Sequence, residues 1–194
     1  MSDPAIPAGL RTELVHELMA ARRAVKEGAG DPEAVSAARR RVQDAKVALG
    51  ERGAPWWEPA TEAALRARAA SATRALLRHR PDGATICPSE VARVVASPAW
   101  RGAMDLVRTV AAELAADGQV VVRQRGRVVD PATARGPVRY GRVAAGATLP
   151  AAPVPETEAT GERPGDPPAG GDRRVPPGGR RRRPGGGERA GPEG

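Results

Sequence analysis

Phenylalanine is absent from this 194-residue chain, and lysine occurs only at Lys26 and Lys46, although Lys and Arg together number 31. With Ala, Gly, Pro and Val abundant, this resembles a high-GC codon bias, which weakens any argument from the number of arginines alone. Cys87 is the single cysteine, which excludes an intramolecular disulfide and leaves nothing pointing to an oxidising compartment. No stretch approaches the roughly 20 apolar residues that span a bilayer, and the first residues lack a basic region followed by an apolar run. The expected location is the cytoplasm, with no membrane contact. Also missing are a Gly-rich phosphate loop, a nucleophile elbow and a paired-carboxylate motif. His16 and His79 stand isolated on different expected domains and make no metal-ligand spacing with Cys87. The expectation is therefore a non-enzyme with no catalytic residue, no metal and no cofactor.

What is present divides by composition. Residues 144–194 hold only Leu149, Val154 and Val175 as larger aliphatics among many Pro and Gly, too little apolar surface to offset the entropy of ordering. A disordered tail is expected there. Its Arg180 to Arg183 run could hold nucleic acid by flexible electrostatics, or be low-complexity drift whose charge the tail's acidic residues screen. Residues 1–59 carry 9 basic and 9 acidic groups, 60–143 carry 14 and 7, and the tail 8 and 7. The net positive charge thus sits on 60–143, where it attracts polyanions.

Residues 7–52 read as an antiparallel, coiled-coil-like helical hairpin. Leu14, Leu18, Ala21 and Val25 recur at helical spacing, and Gly28 ends the pattern. Asp31 then caps a second helix with Pro32 at its first position, and Val35, Ala38, Val42, Ala45 and Leu49 form its seam. With so few large side chains, this hairpin must pack on a second copy, on the rest of the chain or on a partner. Residues 53–60 form a linker whose Trp56-Trp57 pair either fastens the hairpin to the next domain or takes a ligand.

Residues 61–143 read as three helices and a hairpin. The first helix opens at Thr61 and stops at Pro81-Asp82-Gly83; Ala84-Thr85-Ile86 is extended. Cys87-Pro88-Ser89-Glu90 then starts a helix with Glu90 placed to reach back to the Cys87 N–H. Ser97-Pro98 starts the next, over 98–117, with Trp100, Met104, Val107, Ala111 and Leu114 on its apolar stripe. Gln119 to Gln124, a turn at Gly126 and Val128-Val129 form a hairpin, and Val138 to Tyr140 could add a strand. A helix-turn-helix followed by such a hairpin is a winged helix. The fold class expected is mainly α with a small β-hairpin.

Ala84-Thr85-Ile86-Cys87-Pro88-Ser89-Glu90-Val91-Ala92-Arg93, Trp100-Arg101, Gly118-Gln119-Val120-Val121-Val122 with Gln124-Arg125-Gly126, and Asp130-Pro131-Ala132-Thr133-Ala134-Arg135-Gly136-Pro137 together resemble a bacterial domain-of-unknown-function family of short winged-helix-like proteins, over about 61–142. The resemblance implies a fold and leaves activity open. Residues 9–57, with Gly50-Glu51-Arg52-Gly53-Ala54-Pro55-Trp56-Trp57, are similar to an unnamed helical segment of small actinomycete proteins.

The functional expectation is a module binding double-stranded DNA through the helix at 98–117 and the wing at 119–129. Arg101 and Arg108, opposite the apolar stripe, could read guanine edges or hold phosphates. Arg123, Arg125 and Arg127 alternate, which would line one face of the wing with positive charge. Alternating arginines also keep an exposed edge strand soluble, and Asp105 on the same helix face opposes phosphate. The N-terminal hairpin could pair two copies of such a module. The competing expectation is a protein-interaction adaptor, in which the hairpin and wing dock partner proteins and the positive charge serves solubility. Cys87 near a helix start reads either as a reactive thiol or as a buried residue.

Overall fold

In the computed structural model, residues 1–143 are described; the expected disordered tail over 144–194 lies outside the described residues. Helices α1 (Ala8–Glu27) and α2 (Pro32–Ala48) form the antiparallel hairpin. Asp31 starts α2 by accepting the Glu33 and Ala34 N–H groups at 2.9 and 3.2 Å, satisfying two of the donors that a helix start leaves without intrahelical partners. The inner seam is short-chained. Leu14, Leu18, Ala21, Ala38, Ala45 and Ala48 are buried, and small residues of this kind let α1 and α2 approach closely.

The hairpin packs on the rest of the chain, the second of the possibilities its sparse seam left open. Its partner is α3 (Glu62–His79), which contributes Ala69, Ala72, Ala75 and Leu76 to a core continuous with Leu14, Ala45 and Leu49. Thr61 caps α3 through its hydroxyl, which accepts the Ala64 N–H at 3.2 Å. Residues 1–143 therefore share one hydrophobic core.

After α3 the chain forms β1 (Thr85–Ile86), α4 (Pro88–Ala96), a 3-10 turn (Trp100–Ala103), α5 (Met104–Ala116), β2 (Val120–Gln124), β3 (Arg127–Val128) and β4 (Arg139–Arg142). All pairings are antiparallel, and the strand order is β1-β4-β2-β3. The optional strand of the sequence reading is thus β4, which sits between β1 and β2 and brings Tyr140 opposite both Ile86 and Val122. Those three side chains, with Val120, close the sheet onto α3, α4 and α5. The chain is mainly helical with one small antiparallel sheet.

One element differs from expectation. The helix expected over 98–117 begins only at Met104, because residues Trp100–Ala103 wind as a tighter 3-10 turn after a cis Ser97–Pro98 bond. Trp100 still packs half-buried against the core from within this turn, and Arg101 is exposed. Val107, Val110, Ala111 and Leu114 make the buried stripe of α5.

Candidate nucleic-acid interface

The arginines of 60–143 fall into two groups with different surroundings. Every arginine of α3, together with Arg80 just beyond it, has a carboxylate partner: Arg66 with Glu62 and Glu113, Arg68 with Asp3, Arg74 and Arg78 with Asp44, and Arg80 with Glu13 and Glu90. Three of these carboxylates, Asp3, Glu13 and Asp44, come from the hairpin side of the chain. Burial pushes the Glu90 carboxyl upward, but hydrogen bonds from Arg80 and the Cys87 N–H outweigh it and hold it below its ordinary value. The +7 of this segment is therefore partly neutralised by residues that precede it.

From α4 onward the pattern changes. Arg93, Arg101, Arg108, Arg123, Arg125, Arg127, Arg135 and Arg139 have no carboxylate partner among the described residues. Among the described residues only Arg142, at the end of β4, is paired, with Asp82 at 2.5 Å.

Each expected contact residue has a definite position. Arg101 is exposed in the 3-10 turn, with its guanidinium over the Trp100 ring, 4.5 Å from the centroid. Arg108 on α5 is turned to the strand side, where it donates to the Gly136 carbonyl at 2.8 Å. Gln124 grips the same loop, donating to the Arg135 carbonyl at 2.6 Å, so the 130–138 segment is fastened beside the hairpin. Arg108 is thus a structural brace for that loop as well as a charge.

The three hairpin arginines do not share one face, which corrects the expectation. Gln124 pairs with Arg127 and Arg123 with Val128, so Arg127 lies on the Gln124 face and Arg123 on the other. The two-residue turn Arg125-Gly126, at φ 50° and 81°, interrupts the alternation that sequence spacing implied. Arg125 stands exposed at the tip.

The partner of Arg123 on its own face is one that spacing could not show. Arg139 of β4 is its direct cross-strand neighbour. Like charges opposite each other weaken a sheet. Arg139 is held by donating to the Thr85 carbonyl at 3.0 Å and to its hydroxyl. Arg93, Arg135 and Arg139 are the cations missed from sequence; the alternation of β4 beside Tyr140 was the available signal for the last.

Other sequence candidates resolve differently. Trp56 is half-buried and Trp57 exposed, their rings T-shaped with centroids 5.3 Å apart. Trp56 lines a cavity of about 550 Å³ with Leu65, Arg68 and Val95, between the 52–60 connection and α3. The histidines are not isolated: His16 and His79 meet with ring centroids 5.6 Å apart, because α1 crosses the end of α3. Cys87 is half-buried at the α4 start, and the Ser89 hydroxyl donates to its Sγ at 3.1 Å. Among the described residues, no helix is long and apolar enough to cross a membrane.

The family described as "Protein of unknown function (DUF3253)" matches residues 66–143. That segment is similar to this family of unknown function, over nearly the same residues as the motifs of 61–142 that carried the resemblance. No curated protein matches the chain.

Proposed function

We propose that residues 61–143 form a winged helix-turn-helix that binds double-stranded DNA without catalysing a reaction, in the cytoplasm. The order α3-β1-α4-α5-β2-β4, with a β1-β4-β2 sheet, supports the winged-helix reading. The observation that carries the DNA reading is the charge partition. Arginines facing the hairpin are matched to carboxylates, whereas eight from Arg93 to Arg139 are not matched among the described residues. A duplex supplies the missing anions as a continuous array of phosphates.

The contacts are Arg101 at the start of the recognition segment, Arg123 and Arg139 on one sheet face, Arg125 at the wing tip, and Arg127 on the opposite side. Arg108 acts mainly by bracing the wing loop. The test is fluorescence anisotropy of the full chain on mixed-sequence duplex over a salt series. Steep salt dependence, flattened by about two to three phosphate equivalents in Arg123→Ala/Arg125→Ala/Arg127→Ala, supports it; no complex at roughly 50 mM salt ends it.

A second reading, an adaptor, has its own observation. On the hairpin, Met19, Val25 and Val42 floor a groove of about 660 Å³ rimmed by Arg22, Arg23, Lys26 and Arg39. None of the four rim cations is ion-paired among the described residues. Apolar floor and cationic rim fit an acidic amphipathic helix of a partner protein; methionine adapts to irregular occupants. A synthetic peptide with a leucine stripe flanked by glutamates should bind, its scrambled sequence should not, and Arg22→Glu/Arg23→Glu should abolish binding. Equal binding of both peptides rejects the groove.

A further inference from the structure

Arg93 on α4 and Arg101 in the 3-10 turn come from different elements, yet both guanidinium groups rest on one side chain. Their Cζ atoms lie 4.8 and 4.5 Å from the Trp100 ring centroid. The two charges are therefore no more than about 9 Å apart, the sum of those distances, and each is attracted to the indole π-face. Both arginines are exposed, and neither has a hydrogen-bonding or ion-pair partner among the described residues. Asp105, also exposed and one turn beyond Arg101, forms no ion pair with it.

Trp100 is half-buried and packed against the core, so it is a fixed platform. Stacking on it orders two long side chains before any ligand arrives, which lowers the entropic cost of binding. Two planar donor forks no more than about 9 Å apart suit an oxyanion with several oxygens.

We propose that Arg93 and Arg101, held on Trp100, form a clamp for a backbone phosphate at the corner between α4 and α5. The clamp rests on the DNA reading. It adds Arg93 to the interface, makes Trp100 a positioning residue, and assigns Arg101 to phosphate holding instead of base readout. The clamp contributes affinity and register at every sequence and selects no base.

The full chain is tested by measuring salt dependence on mixed-sequence duplex DNA for wild type, Arg93→Ala, Arg101→Ala, the double alanine variant, Arg93→Lys/Arg101→Lys and Trp100→Leu. The double alanine variant should lower the slope of log affinity against log salt by about 0.9, one phosphate equivalent, and each single alanine change should lower it by less. The double lysine variant should keep the slope but bind more weakly, because charge remains and stacking is lost. Trp100→Leu should weaken binding with both charges present. Unfolding midpoints within error of wild type for the arginine variants separate the clamp from a role in folding. If DNA binds and the double alanine variant keeps the wild-type slope, the clamp is wrong and the DNA reading stands. If wild type binds no DNA, the DNA reading fails, and the clamp is decided by titrating pyrophosphate while following Trp100 emission in Trp56→Phe/Trp57→Phe. A saturable change abolished by Arg93→Ala/Arg101→Ala supports it; no change overturns it.

Discussion

Asp44 receives the Arg74 guanidinium on both carboxylate oxygens, at 3.1 and 3.2 Å, across 30 residues of sequence. Arg78 adds a fourth bond at 2.6 Å, and Asp44 is only 6% exposed. The carboxylate is taken out of water on α2 and compensated wholly from α3. Asp44→Ala would leave two neighbouring guanidinium groups without their shared anion. It should lower stability by about 2–3 kcal/mol, below the range for fully buried pairs because both arginines retain some water. Urea unfolding of the full chain measures this; a change under about 0.5 kcal/mol would show that α2 is held by packing alone.

Removing the hairpin altogether should be worse than any single change. A fragment beginning at residue 60 loses Asp3, Glu13 and Asp44 and exposes the α3 side that packs on Leu14, Ala45 and Leu49. Its thermal transition should broaden and fall well below that of residues 1–143. A sharp transition at the same temperature would show that the 60–143 part folds independently.

Acid should weaken the α3–α4 junction through Glu90. Its carboxyl is held below the ordinary value of 4.5, so its contribution is complete above that value and is lost as pH falls through the folded-state value. The stability difference between wild type and Glu90→Gln should be constant above roughly pH 6 and shrink below about pH 4.5. A difference that stays constant into acid would remove the charge interaction with Arg80 as its source.

Tyr140 is 1% exposed, and its hydroxyl has no hydrogen-bond partner among the described residues. Burial pushes that hydroxyl well above the ordinary tyrosine range, although the charge of Arg108 opposes the shift. Deleting an unsatisfied buried group removes a desolvation cost and orphans nothing. Tyr140→Phe should therefore leave stability unchanged or raise it by about 1 kcal/mol, whereas Tyr140→Ala should cost about 3–5 kcal/mol by emptying the ring's site. A clear loss in the phenylalanine variant would mean that the hydroxyl is satisfied in solution.

Arg125 holds φ at 50°, a left-handed conformation that asparagine or glycine adopts more readily. Arg125→Asn should stabilise the hairpin by roughly 0.5 kcal/mol and reduce the DNA salt slope by about 0.9. Stability gained without any change in slope would exclude the hairpin tip from the interface.

Local chemistry was the most legible part of the sequence. Asp31, Thr61 and Glu90 start their helices as their spacing predicts, since a cap needs only residues two or three positions away. Residues 98–103 defeated the same reasoning, because apolar spacing alone does not distinguish a 3-10 turn from the first turn of an α-helix. The wing arginines failed at the turn: alternation orders side chains along one strand, and its phase is reset wherever the chain reverses. The ion pairs were the least legible. Glu13 meets Arg80 across 67 residues, so dividing charge by segment counted as free several arginines that α1 and α2 neutralise.

The stretch matching the domain family begins at residue 66, inside α3, and this has a consequence for where else such a domain could live. Its opening helix carries cations whose counter-ions belong to the preceding hairpin. Transplanted behind a different leader, the same 78 residues would need that leader to offer acidic groups opposite Arg68, Arg74, Arg78 and Arg80, or would need those arginines exchanged for neutral residues. Portability of this unit is thus limited by an electrostatic debt that its own boundaries do not contain.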